Sequence, residues 1–68
     1  MIEIWVTVQQ KKVLDKFFEG TPLTDIAVDL NISYSRVIQI LNNILIKTKI
    51  QTRKELLIKR YEICYNLK

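Results

Sequence analysis

Four helix starts are written into this chain, and their spacing limits what it can fold into. Thr7-x-x-Gln10 and Thr52-x-x-Glu55 are capping boxes. In such a box a threonine oxygen and a side chain three residues on satisfy each other's free backbone N–H groups. Thr21-Pro22 opens another helix, with Pro at the first helical position, where its missing N–H is no loss. Ser33 caps a further one. The stops agree with the starts. Gly20 ends the first helix, and Asn31, which tolerates the left-handed conformation, turns the chain after the second. Apolar residues follow each start at helical spacing: Val13, Leu14, Phe17 and Phe18, then Leu23, Ile26, Ala27 and Leu30. The pattern predicts helices over 8–19, 22–30, 34–48 and 53–66 in a single domain spanning 1–68.

The N-terminus follows another rule. Ile2, Ile4 and Val6 alternate with Glu3, Trp5 and Thr7, which is a strand period. A lone strand is not stable. Residues 1–7 are therefore expected to form an extended arm lying on the bundle; the alternative is pairing with the same arm of a second chain. The expected fold class is all-α, a four-helix bundle with a short N-terminal arm.

At 68 residues the chain buries only about 60% of its unfolded surface, so a partner chain would add useful stability. Its single cysteine, Cys64, cannot form an internal disulfide, and it has no histidine. The lone cysteine fits a reducing cytoplasm. Gln39, Asn42, Asn43 and Lys47 break the longest apolar stretches, and no basic cluster marks a leader peptide, so no membrane association is expected. The net charge is +4, but its placement matters more. Asp15, Glu19, Asp25 and Asp29 lie in the first half with only Lys16 among them. Lys47, Lys49, Arg53, Lys54, Lys59 and Arg60 follow, opposed by Glu55 alone. A basic end favours a polyanionic partner, although a charge run is also what a solvated face looks like.

The second and third helices are short, apolar on one side, and joined across Asn31–Ser33. That spacing suits a helix-turn-helix, in which the second helix enters the major groove of DNA.

At these residues the sequence resembles the DNA-binding domain of the LuxR/GerE family, also found in NarL/FixJ response regulators. The match runs without a gap from about Val6 to Leu57. Val6-Thr7, Val13-Leu14, Gly20, Asp25-Ile26-Ala27, Leu30-Asn31-Ile32-Ser33 and Asn43-Ile44-Leu45-x-Lys47 fall at the family's signature positions in order. Ile50, Arg53 and Glu55-Leu56 fit its closing Val-x-x-Arg-x-Glu-Leu. A shorter stretch, Leu23 to Lys47, is similar to region 4 of bacterial sigma factors, which also carries a helix-turn-helix. The sequence departs from the family inside the recognition helix. Lysine and histidine positions there are Ile38 and Ile40, and a frequently basic position is Ile46.

At about 100° per residue, Val37, Leu41, Ile44 and Thr48 share the core face of the third helix. Arg36, Gln39, Asn42, Asn43 and Lys47 lie broadly opposite. Glutamine and asparagine can pair bidentately with adenine, and arginine with guanine. Arg36, Gln39 and Asn42 are the candidates for base edges, with Asn43 beside them. The resemblance also implies a base-facing position for Ile38, where it would meet a thymine methyl; packing under the fourth helix is the alternative. Lys47 is the expected phosphate contact, with Lys49, Arg53 and Lys54 as electrostatic additions. The family often uses the Arg53 position to brace the bundle.

The predicted fourth helix carries more apolar surface than one packed side needs. Leu57, Ile58, Tyr61, Cys64 and Tyr65 are the surplus, and they suggest a homodimer contact, as the resemblance also implies. The alternative cover is the N-terminal arm.

Enzyme chemistry lacks its parts. There is no histidine, no glycine-rich phosphate loop and no cysteine pair, so no catalytic residue, metal or cofactor is expected. The sequence reads as a transcriptional regulator that binds double-stranded DNA as a homodimer. The alternative is a protein-binding module of the same fold that modulates a LuxR-type regulator or RNA polymerase. A sigma-like accessory factor is a third reading.

Overall fold

The computed structural model describes residues 1–68. Its elements are β1 (Ile2–Val6), α1 (Val8–Phe18), α2 (Leu23–Leu30), α3 (Tyr34–Thr48), α4 (Arg53–Ile58), a 3-10 turn (Arg60–Glu62) and β2 (Ile63–Leu67).

The predicted caps explain the helix starts. At α1 the Thr7 Oγ1 accepts the Gln10 N–H at 3.2 Å, and the Gln10 Oε1 accepts the Thr7 N–H at 3.0 Å. The Ser33 Oγ accepts the Arg36 N–H at 3.0 Å and starts α3. At α4 the Thr52 oxygen accepts the Glu55 N–H at 3.1 Å, but Glu55 turns to Lys59, 3.2 Å away, instead of returning to Thr52. Pro22 sits one position earlier than expected, as the N-cap of α2. The stops use left-handed backbone. Gly20 has φ +89°, Asn31 φ 54° and Lys49 φ 60°. The turn at Lys49 lets the Ile50 N–H reach the Leu45 carbonyl at 3.1 Å, which closes α3.

The expected all-α class is wrong, because the two ends of the chain form a two-stranded parallel sheet. The register runs from Ile2↔Ile63 through Ile4↔Tyr65 to Val6↔Leu67. The helix expected over 53–66 stops at Ile58. The arm neither lies on the bundle as a loose segment nor needs a second chain, because β2 is its partner. The cause is backbone satisfaction. A helix continued to Asn66 would leave the β1 peptide groups unpaired beside the core. Pairing satisfies both ends, and Ile63, Cys64 and Tyr65 are of types that fit a pleated surface. Parallel strands need a long crossover, and here the whole helical body supplies it.

One core serves every α-helix and both strands. Ile4 and Val6 of β1 and Ile63 of β2 join Val13, Leu14 and Phe17 of α1, Ile26 and Ala27 of α2, and Leu56 of α4. Val37, Ile40, Leu41 and Ile44 of α3 lie at its centre with no exposed surface. This packing fixes the roll of α3, and so decides which of its residues face outward.

Candidate nucleic-acid interface

With Val37, Ile40, Leu41, Ile44 and Thr48 turned inward, the opposite side of α3 is open. Arg36, Gln39, Asn42, Asn43, Ile46 and Lys47 are all exposed. Ile38 is half-buried at the edge of the core. Ile40 lies fully inside it, so this isoleucine belongs to the packing and not to any outward surface.

Two cations tie the flank of this face to the N-terminal part of the molecule. The Arg36 Nε and Nη2 donate to the Gln9 Oε1 at 3.2 and 3.0 Å, and its Nη1 donates to the Gln39 Oε1 at 2.7 Å. The Lys47 Nζ donates to the Trp5 carbonyl at 2.8 Å and the Gln10 Oε1 at 3.4 Å. Neither cation is consumed. Arginine has five N–H donors and lysine three, so Arg36 keeps two and Lys47 one without a protein partner. Gln9 was not singled out in the sequence, and Gln10 and Trp5 were read only for their local roles in the capping box and the strand. Gln9 and Gln10 sit at the start of α1, and only the tertiary fold brings them to α3. No local pattern could have shown this.

The charge pattern separates into two halves. The three ion pairs are Lys11–Asp15 at 3.0 Å, Lys16–Asp29 at 3.4 Å and Lys59–Glu55 at 3.2 Å. They pair most of the charges of α1, α2 and the end of α4, leaving Lys12 and Asp25 without a partner there. Arg36, Lys47, Lys49, Arg53 and Lys54 make no ion pair, and all five are exposed. Arg53 does not brace the bundle. Lys49 borders a shallow hollow with Asn42, Leu45, Ile46, Ile50 and Gln51, at the end of the open face. Unpaired cations therefore border the amide-rich surface.

The expected dimer residues fare differently, because the helix that was to carry them ends early. Leu57 is half-buried in α4, and Ile58 and Tyr61 stand out at 67% and 84% exposure. Cys64 and Tyr65 lie on β2. These five do not form one helical stripe. Tyr65 instead locks β2 to α1: its hydroxyl donates to the Asp15 carboxylate, and its ring meets Phe18 edge-on at 5.7 Å. Burial, and then the bond and charge of Asp15, push the Tyr65 hydroxyl well above the usual tyrosine range. Burial alone would raise Asp15, but the Tyr65 bond and Lys11 outweigh it and hold the carboxyl below its ordinary value.

No group of three or more His, Cys, Asp or Glu side chains converges as a metal site would require. No helix is long and apolar enough to cross a membrane. No family model, curated protein or solved structure matches the chain.

Proposed function

We propose that this chain is a helix-turn-helix domain that binds double-stranded DNA at preferred sequences and regulates transcription, with α3 as the helix that enters the major groove. The observation that carries the reading is the uncovered face of α3. Gln39, Asn42 and Asn43 are exposed on it, flanked by the unpaired cations Arg36 and Lys47. Amide side chains suit the donor and acceptor pattern of adenine, and arginine that of guanine. The cations of α3 and α4 suit phosphate, which fixes position without reading sequence. The resemblance of residues 6–57 to LuxR/GerE domains supports the same reading. The segment that departs from the expected architecture, 59–67, lies beyond the matched residues. We place the protein in the cytoplasm, where such a target would lie.

Selection from random duplex DNA tests the proposal. It should enrich a motif, and Gln39→Ala or Asn42→Ala should relax preference at a single position by about 1–3 kcal/mol. A selection that enriches nothing contradicts sequence-dependent binding.

One observation favours a second reading. Ile46 is 75% exposed in the middle of the open face, and Leu45 and Ile50 border the same hollow. An apolar residue there suits contact with another regulator or with RNA polymerase. Under this reading Ile46→Asp abolishes protein capture, and the chain has no duplex affinity to lose.

A further inference from the structure

β2 is an edge strand with an open side. Val6 is in register with Leu67, and the Lys68 N–H donates to the Val6 carbonyl at 3.0 Å. In a parallel ladder this means that Cys64, Asn66 and Lys68 turn their peptide groups toward β1. Ile63, Tyr65 and Leu67 turn theirs away. The Ile63 N–H closes the 3-10 turn on the Arg60 carbonyl. The N–H groups of Tyr65 and Leu67 and the carbonyl of Ile63 point outward along the free edge.

Natural sheets blunt such edges with charge, proline or a bulge. The β1 edge is blunted in this way: Glu3 lies on it, and Lys47 occupies the Trp5 carbonyl at 2.8 Å. β2, with the sequence Ile63-Cys64-Tyr65-Asn66-Leu67, has no such device. A two-stranded ribbon also gains stability from further strands.

We propose that β2 pairs with the β2 of a second copy of this chain, antiparallel about a twofold axis at Tyr65, joining two two-stranded sheets into one of four strands. The strand complements itself in that register. Tyr65 faces its own copy, Ile63 faces Leu67 and Cys64 faces Asn66; Glu62, at the end of the 3-10 turn, and Lys68 flank the two ends of the ladder and come next to each other across the axis. The outward peptide groups are those that an antiparallel pair of this register bonds. Glu62 and Lys68 are both exposed and make no ion pair within the chain. Two such pairs form across the axis. Sliding the register by two residues sets Lys68 against Arg60 or Cys64 and loses both pairs. Leu67, 47% exposed on its own chain, gains Ile63 of the other copy as a neighbour. The proposal does not rest on the DNA-binding reading. Combined with it, the twofold axis relates two α3 helices and calls for a palindromic site.

Sedimentation equilibrium without DNA, over a range of protein concentrations at low salt, tests the pairing. The wild-type chain should reach twice its 8.1 kDa mass. Glu62→Lys or Lys68→Glu alone turns both ion pairs into repulsions and should weaken association about tenfold. The double variant Glu62→Lys/Lys68→Glu should return to within about threefold of wild type. Leu67→Pro removes an outward N–H and should leave a folded monomer. Glu62 and Lys68 are exposed, so the charge series stands even if the proline variant misfolds. A wild-type chain that stays monomeric up to about 1 mM overturns the proposal. So does a dimer indifferent to the charge reversals.

Discussion

The Lys47 Nζ lies 2.8 Å from the Trp5 carbonyl and ties the last turn of α3 to the end of β1. The residue expected to hold phosphate is thus also a brace between the reading helix and the sheet. With a second bond to Gln10 at 3.4 Å it still has one N–H free. Lys47→Ala should lower the slope of log affinity against log salt by about one, since one phosphate contact is lost. The brace is exposed, so thermal unfolding should show a loss of under about 1 kcal/mol. An unchanged salt slope would leave Lys47 a brace alone.

Arg36 is oriented before any ligand arrives. Gln9 and Gln39 hold its guanidinium from two sides at 2.7–3.2 Å. Arg36→Ala should cost about 1–3 kcal/mol at one base-pair position and relax preference there. Gln9→Ala touches no proposed base contact. It should weaken the same position through lost orientation, and comparing binding to matched and mismatched duplexes would reveal it.

Ile40 and Ile46 are alike in chemistry and opposite in setting, at 0% and 75% exposure. Ile40→Ala opens a cavity at the centre of the core and should destabilise the fold by about 2–5 kcal/mol. Ile46→Ala should change stability by less than about 0.5 kcal/mol. Urea midpoints of the two variants, measured together, check the roll of α3 on which the candidate interface depends.

The Tyr65–Asp15 bond predicts a stability profile that falls at both ends of the pH scale. The folded chain holds the Tyr65 proton more tightly than the unfolded chain. That contribution is complete below about pH 10 and is lost as pH rises beyond it. Asp15 is held below its ordinary value, so its contribution is present above about pH 4 and is lost on further acidification. Tyr65→Phe should remove that alkaline component and cost about 1 kcal/mol at neutral pH, read from urea unfolding across pH.

The local features were legible from the sequence because their chemistry is local. Thr7, Ser33 and Thr52 cap their helices through bonds three residues away, and Asn31 turns the chain by its own left-handed φ. The exposure of Gln39 and Asn42 followed from helical spacing alone. The C-terminal strand did not follow. The apolar stretch from Leu56 to Leu67 satisfies a helix or a strand period over short windows. What decides between them is β1, at the other end of the chain. Ile40 stands where the resemblance places a histidine, and only the packing of the whole chain shows that it belongs to the core. The Arg36–Gln9 contact joins two exposed polar residues on different helices, and such pairs leave no periodic trace.

The central claim is that the open face of α3 meets duplex DNA, and affinity measured against salt concentration tests it most directly. With Arg36, Lys47, Lys49 and Arg53 on phosphate or base edges, log affinity should fall linearly with log salt at a slope of about −3 to −4. No detectable duplex binding at about 50 mM salt, or binding that salt does not weaken, would contradict it.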